Sequence, residues 1–331
     1  MSDLPAAEIM VFTPSLVNVF LGYLFLFLLA YLIKIKDNIK FRKRYQILKY
    51  VSIVVFIIIT FVLILPPKSN NLLNIYCLDV GQGDSIFVKT PENKTLLIDT
   101  GKATPGGSQV QNTIIPFLLN KRIRTIDYLI ISHFDGDHCS KADYLIENGF
   151  VKNLVLSKNF DSEYKKTQKI IKKAKEKGIR ILTVKEKDLL NLSETKIEFL
   201  APLQDKKRDN RNNNSVVFRL NYKDFEMLFP GDIEKEVETD LIKNIPAQFI
   251  KADILKAAHH GSLTSSIDKF IKKVKPSEVL VSVGFNNYGH PSEAVLKRYK
   301  KYNSRVWRTD KKGAIIIRSD GFKYSINSYI N

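Results

Sequence analysis

The chain has 331 residues and carries 52 Lys and Arg against 34 Asp and Glu, a formal net charge of +18. That length allows one large or two ordinary domains. The excess of cations favours polyanionic partners such as nucleic acid, anionic lipid or teichoic-type polymers, set against a generally lysine-rich background as the plain alternative. Only two cysteines, Cys77 and Cys139, are present, which excludes a disulfide-dense scaffold.

The first 67 residues differ from the rest. Neither Ile9–Ile33 nor Tyr50–Pro67 contains a charged residue. Each is long enough, or nearly so, to cross ~30 Å of hydrocarbon at about 1.5 Å per residue. A pair of buried core helices is the alternative, but Leu16–Ile33 is apolar almost all round. A signal peptide would carry its basic residues ahead of the apolar core, and here they follow it. From Lys34 to Lys49 seven basic residues stand against one acidic residue. The positive-inside rule puts this loop in the cytoplasm, and hence the N-terminus and everything after Pro67 on the outer side of the cell membrane. The same loop suits anionic lipid head groups. Residues 1–67 are therefore expected to form a membrane anchor of two transmembrane helices and a basic loop, followed by a separate domain over 68–331.

In that domain, alternation and turn signals predict strands at 73–80, 84–90 and 95–100, with a hairpin turn at 91–94. A helix over 109–120 comes next, then a strand leading to His133 and a helix over 141–148. Strand and helix alternate through 153–184, where Lys165–Lys177 reads as a solvated helix. Strands near 196–200, 214–221 and 225–230 precede a helix at 233–243. The remainder is a strand at 253–258, a helix from about 266, a strand at 278–283, a helix at 292–301, and strands at 305–309, 314–318 and 322–327. Two mixed sheets covered by outer helices satisfy this order, with a site at the sheet edges. The polar loop Lys206–Asn214 is expected to border that site.

The densest chemistry lies in residues 132–138, Ser-His-Phe-Asp-Gly-Asp-His, which gather His133, Asp135, Asp137 and His138 behind the apolar run Tyr128–Ile131. A strand that ends in a tight turn can direct alternate side chains into one pocket. Four nitrogen and oxygen donors there suit two divalent cations a few ångströms apart, the arrangement of two-metal hydrolases. The other three of the five histidines, His259, His260 and His290, also stand at the ends of predicted elements and close to glycines. Asp232 closes the strand and turn Phe225–Asp232, and its two oxygens allow it to bridge two metals. Asp99 ends another strand. The Gly-x-Gly of Cys77–Ser85 lacks the third glycine and the helix of a dinucleotide fingerprint, so a phosphate loop is rejected.

In their order, Leu78–Ser85, Ile98–Gly101, Ser132–His138, Pro230–Asp232, Ala258–Ser262 and Tyr288–Pro291 resemble the motifs of a metallo-β-lactamase-fold hydrolase. More narrowly, they are similar to the C-terminal domain of ComEC-type competence DNA-uptake proteins. The resemblance covers roughly residues 73–326. It implies an α/β fold, the αββα metallo-β-lactamase-like sandwich. It also implies a metal-dependent phosphodiesterase or nuclease acting on DNA through two divalent ions, Zn or Mn, and a metal-bound hydroxide. On that reading His133 and Asp135 serve one metal, Asp137, His138 and His259 the other, and Asp232 bridges them. Asp137 and His290 are the expected catalytic residues, with His290 donating to a phosphate oxygen or protonating the leaving oxygen. Asp84, His260, Ser262, Thr264 and His290 are expected at the substrate, with His260 as the fallback for His259.

Two departures stand out. Asp135 replaces a second histidine of the wider superfamily, a change the ComEC-like branch shares. No histidine lies between His138 and His259, so the middle ligand is missing, and Asn213, Asn214 or Ser215 falls where a substitute would stand. An oxygen-richer shell shifts preference from Zn²⁺ towards Mn²⁺. Two rival readings keep the fold: a hydrolase of a small phosphoester or lactone, and a non-catalytic subunit of a DNA-uptake complex beside a separate transport channel. The sequence leaves the oligomeric state open. Basic and aromatic residues interleave at Lys297–Tyr302 and Arg305–Arg308, as either a nucleic-acid surface or a helix and strand with aromatic cores.

Overall fold

Side chains along two adjacent strands sort by twos. Phe218, Leu220 and Tyr222, with Phe225, Met227 and Phe229, enter one buried cluster, while Val217 and Leu228 between them enter another. This period of two is that of a pleated strand buried on both faces. The first cluster lies between two sheets, and the second between one sheet and its helices.

The computed structural model describes residues 10–35, 42–64, 71–104, 107–203 and 207–330. The middle of the basic loop, 36–41, and Lys206 lie outside the described residues. The chain divides into two compact units, residues 1–68 with 116–124, and residues 69–115 with 125–331. In the first unit, helices α1 (Leu16–Ile35) and α2 (Arg42–Ile64) are long and apolar enough to cross a membrane. Their large apolar side chains, among them Phe20, Phe27, Ile53 and Ile57, are exposed. Phe25 and Phe56 meet with ring centroids 5.5 Å apart.

The second unit holds the sandwich. One sheet contains β1 (Leu73–Cys77), β2 (Ile86–Lys89), β3 (Thr95–Ile98), β6 (Ile126–Ile131), β7 (Val151–Ser157), β8 (Arg180–Val184), β16 (Ile315–Ser319) and β17 (Tyr324–Ser328), in the order β17-β16-β1-β2-β3-β6-β7-β8. The other contains β9 (Leu189–Leu192), β10 (Thr195–Ala201), β11 (Val217–Tyr222), β12 (Phe225–Phe229), β13 (Ile254–Lys256), β14 (Glu278–Val281) and β15 (Arg305–Arg308), in the order β15-β14-β13-β12-β11-β10-β9. Short strands β4 (Ala103–Thr104) and β5 (Gly107–Ser108) pair separately. Both large sheets are mixed, as expected. Helices 235–244, 268–274 and 293–301 cover the second sheet through Val237, Leu241, Phe270, Ile271, Val295 and Tyr299. The helix 165–176 buries Thr167, Ile170 and Ala174 and leaves most of its lysines exposed.

Three local readings change. β9 was not expected: it is a four-residue edge strand with Leu189 exposed, too short to show a period. The helix expected over 109–120 begins as a π-helical turn at Val110–Ile114 before becoming α-helical at Ile115. The interleaved aromatics at 297–308 are core rather than surface. Tyr299 is fully buried with its hydroxyl on Ser266, and the Trp307 ring nitrogen donates to Glu278 at 2.7 Å. Arg298 donates to the carbonyls of Ser265 and Ser266, and Lys301 pairs with Asp268.

One buried acid in the helical layer gives a pH prediction. Glu238 accepts hydrogen bonds from the amides of Ser266 and Ile267. Burial outweighs these bonds and pushes its carboxyl up to about 7. The folded chain thus holds a proton that the unfolded chain has released, and this group's contribution falls as pH rises from about 4.5 to 7. The stability of wild type minus that of Glu238→Gln should decrease by roughly 2–3 kcal/mol between pH 5 and 8. Denaturant melts across that range measure it, and a flat difference refutes it.

Candidate metal centre

The candidate site forms where strand ends of both sheets meet. From the first sheet come Asp99 after β3, the segment 132–138 after β6, and Asp84 from the β1–β2 connection. The second sheet contributes Asp232 after β12, then Lys256 and the segment 258–261 at the end of β13. Several of these positions lie in the left-handed region, with φ of 60° at Asp99, 47° at His259 and 53° at His260. Such backbone is costly for residues other than glycine and clusters at functional sites. Gly83 shows why a side chain is excluded at one of them. With φ +128°, a Cβ there would collide with the Asp137 carbonyl, and the Asp84 amide donates to that carbonyl at 3.2 Å.

Asp99 is the hub of the buried layer. Its Oδ1 accepts from the Ser132 amide at 2.7 Å, and its Oδ2 from the Ser132 hydroxyl at 2.6 Å and His138 Nδ1 at 2.7 Å. His260 Nδ1 likewise donates to the Ser282 carbonyl at 2.8 Å. Both imidazoles thus hold a proton on Nδ1 and turn Nε2 inward, the pattern in which an outer partner sets the ligating tautomer. The two Nε2 atoms lie 3.2 Å apart. Asp232 Oδ2 is 3.1 Å from His138 Nε2 and 3.4 Å from His260 Nε2. Asp137 Oδ2 is 3.4 Å from His260 Nε2 and 4.0 Å from His138 Nε2. A tetrahedral ion with ligands at ~2.0–2.1 Å needs ligand-to-ligand edges of roughly 3.3 Å. Among these four atoms the five separations above, 3.1 to 4.0 Å, bracket that edge. Around them His133, His138 and Asp232 form a second group of donors within 4.8 Å of one another. His133 Nε2 and Asp232 Oδ1 are buried without a hydrogen-bond partner. The orphaned buried donors fit a cationic guest.

Protonation divides the donors: burial would lower the His138 and His260 imidazoles, but Asp232, with Asp99 for the first and Asp84 for the second, overcomes it and holds both well above the ordinary value, so a bound cation would have to displace their Nε2 protons. Burial, followed by the neighbouring His138, pushes the His133 imidazole down to about 3, so its lone pair is free at neutral pH. Burial would raise the Asp232 carboxyl, but His138, His260 and Lys256 overcome it and hold it well below the usual range.

The expected site residues separate into groups. His133, Asp137, His138 and Asp232 converge on the centre. His260 does so as well, in place of His259. A left-handed turn at the two histidines carries His259 outward, where its Nε2 is 3.9 Å from Asp232 and its ring lies 5.2 Å from that of His290. Asp135 lies at the rim. Its Oδ1 accepts from Arg211 Nε at 2.8 Å, and its Oδ2 is 4.0 Å from His133 Nε2. Asn213, Asn214 and Ser215 are occupied by their own loop and by Glu234 and Glu236. Arg211 reaches the site rim over the Tyr164 ring at 4.4 Å, and Ser215 Oγ accepts from the Asp232 amide at 3.3 Å without turning to the converging donors.

Three expected substrate contacts stand elsewhere. Asp84 is buried against Lys256, away from any incoming molecule. Ser262 and Thr264 bond each other, and Thr264 bonds Glu234, in a turn upstream of the helix that begins at Asp268. His290 lines the cleft, but burial and the nearby His259 and His260 push its imidazole down to about 4. It is therefore a neutral donor at pH 7 rather than a proton source. Lys256 is the residue that sequence reasoning missed. Its signal was a lysine inside the apolar strand Ile254–Lys256.

Above the centre opens a cleft of about 640 Å³, lined by Gln82, Lys102, Asp137, Lys166, His259, Tyr288 and His290 among others. A wider hollow of about 970 Å³ beside the 207–213 loop holds none of the converging donors.

Residues 78–284 match the family model described as the metallo-beta-lactamase superfamily. The chain is 35% identical over 273 residues to ComE operon protein 3 of Bacillus subtilis, a match covering 78% of this chain and 35% of that protein. It is 29% identical over 252 residues to competence protein ComA of Neisseria gonorrhoeae, covering 75% and 32% respectively. The chain thus spans about a third of the length of these relatives. Among solved structures, CmlA, a diiron beta-hydroxylase from Streptomyces venezuelae, aligns with a TM-score of 0.48 at 14% identity, over 76% of this chain and 55% of that one. With its six motifs in order on a two-sheet sandwich and most of its length matched, the chain belongs to the metallo-β-lactamase superfamily and stands with ComEC-type sequences.

Proposed function

We propose that this chain is a membrane-anchored, metal-dependent phosphodiesterase acting on DNA, with residues 1–67 as the anchor and 68–331 as the hydrolase domain. The observation that carries the reading is the convergence of Asp232 Oδ2 and Asp137 Oδ2 on His138 Nε2 and His260 Nε2, within 3.1 to 4.0 Å, at the floor of an open cleft. In this reading these four hold one divalent cation, Mn²⁺ or Zn²⁺. His133 and the shared Asp232 hold a second, with Asp135 at its rim. Divalent cations bound there supply positive charge to a phosphoryl oxygen and acidify water enough for attack near pH 7. The chain's own residues do the rest. Asp99 and the Ser282 carbonyl fix the ring tautomers, and neutral His290 offers an N–H to a phosphate oxygen. Lys102 and Lys166 on the cleft wall attract the backbone charge. Phe285, 90% exposed, and Tyr288, 76% exposed, stand on the loop that borders the cleft and offer faces for stacking bases. A neutral lactone would not use the lysines, and a small phosphoester would leave the outer rings idle, which favours the polynucleotide.

Full-length protein in detergent is expected to bind up to two divalent cations and then to cleave DNA, with linear and circular substrates distinguishing exo from endo attack. Less than a tenth of an equivalent bound after dialysis against either Mn²⁺ or Zn²⁺ would end this reading. If about four phosphates are neutralised, log affinity should fall against log salt with a slope of roughly −3 to −4. Lys102→Glu with Lys166→Glu should flatten the slope by about 2 without changing cation content. A slope near zero in the parent points to the small-substrate hydrolase.

The catalytic domain is proposed to face outward, because the basic loop between the apolar helices is drawn to the cytoplasm. A reporter active only outside the cytoplasm, fused after Asn331, is expected to give signal. Signal from a cytoplasm-active reporter alone reverses the topology. The competence names of its relatives support a DNA-transport channel as the proposed partner.

A further inference from the structure

Lys256 is the one lysine among the fully buried large side chains, 1% exposed at the end of β13. β13 lies inside its sheet between β12 and β14, so the strand itself fixes where the ammonium stands. The Nζ pairs with Asp84 Oδ2 and lies 3.7 Å from Asp232 Oδ1. The contacts of Asp232 with His138, His259 and His260 fall on its other oxygen, Oδ2. Asp232 therefore divides its charge, with one oxygen towards the imidazoles and one towards the ammonium. On the ammonium's side, Asp84, Asp232 and His260 bring polar atoms within 4.8 Å of one another, and with His260 Nδ1 committed to the Ser282 carbonyl the two carboxylates are the free donors there. Asp84 Oδ1 and Asp232 Oδ1 are buried there without a hydrogen-bond partner.

We propose that Lys256 is a built-in cation that fills a third position of this centre, withholding Asp84 from metal and limiting the centre to two exchangeable ions. The inference rests on the metallohydrolase reading. Charge supports it. The carboxylates of Asp84, Asp99, Asp135, Asp137 and Asp232 crowd one small volume, and two of those charges are met by the fixed cations Lys256 and Arg211. Three remain, close to what two divalent ions neutralise, whereas a third ion would overshoot. Burying an ammonium costs several kcal/mol unless carboxylates repay it, and here two stand against it. Lys256 touches no substrate, so it is a positioning residue that acts through Asp84 and Asp232.

The test is a pair of variants with opposite expected signs, read as Mn²⁺ binding by equilibrium dialysis with elemental analysis and by calorimetric titration of the full chain in detergent. Lys256→Met frees Asp84 and removes a repelling charge, so it should bind a third equivalent or hold Mn²⁺ at least tenfold more tightly. Asp84→Asn leaves the ammonium facing Asp232 alone, so Mn²⁺ should bind at least tenfold more weakly. A merely structural lysine would weaken binding in both variants, and that result overturns the proposal. Should Lys256→Met fold only when Mn²⁺ is present, the cation has replaced the ammonium, which supports it. The double variant Lys256→Met with Asp84→Asn removes both charges together and should bind two equivalents like the parent. A folded double variant binding fewer than one overturns the proposal. A parent that binds no cation sinks the metallohydrolase reading itself, while a parent that binds two with both single variants weakened sinks only the role of Lys256.

Discussion

Asp137→Ala and His138→Ala are each expected to abolish hydrolysis, leaving less than about one hundredth of the parent rate on DNA. Outer partners that only orient a metal-binding imidazole typically cost about 10- to 100-fold when lost, so removal of a converging donor should exceed that range. Asp99→Asn supplies the comparison. It touches the centre only through His138 Nδ1 and Ser132 and should fall inside the range. The two alanine variants should differ in stability. Asp137 is partly exposed, and its loss removes few contacts. His138 is fully buried, and its removal deprives Asp99 of a partner at a cost of about 1–3 kcal/mol. Rates with saturating Mn²⁺, cation content and near-ultraviolet circular dichroism separate loss of the site from loss of the fold. More than half the parent rate in either variant would remove these residues from the mechanism.

Arg219→Met is expected to destabilise the sandwich domain by about 3–5 kcal/mol, far more than any surface charge. Arg219 lies on β11, on the face turned to the helices, and is 4% exposed. Its guanidinium donates to Glu198 at 2.6 and 3.0 Å, to Glu226 at 2.8 Å and to the Gln248 carbonyl at 2.6 Å. The methionine would keep most of the apolar volume but strand two carboxylates. Burial already pushes the Glu226 carboxyl up despite the arginine. Neutralising both acids together, as Arg219→Met with Glu198→Gln and Glu226→Gln, should recover most of the loss, because no buried charge then lacks a partner. Thermal melts of the full chain read both effects. A single variant within about 1 kcal/mol of the parent would show that the cluster is solvated rather than buried.

The strands and most helices were legible because their apolar residues keep a clear period. β11 and β12 alternate so strictly that their two faces follow from sequence alone. The position of the centre was legible for a related reason: its aspartates and histidines stand where apolar runs stop. Its internal geometry was less so. The exchange of His259 for His260 depends on two consecutive left-handed residues, which a sequence containing a following glycine hints at but does not determine. Arg211 was hidden because its meeting with Asp135 spans two loops with no pattern of their own. Lys256 was readable in principle as a charge inside an apolar strand, but its meaning appears only when Asp84, far away in sequence, is brought beside it.

The contacts of His138 reach partners 39, 94 and 122 residues away along the chain, at Asp99, Asp232 and His260. No single hairpin, and neither sheet alone, contains the set. Long loops must close before these atoms meet, and such closures come late in assembly. The centre therefore comes into being only when the two sheets dock. A partly synthesised chain holds scattered donors, so their convergence arises as a late event in the life of each molecule.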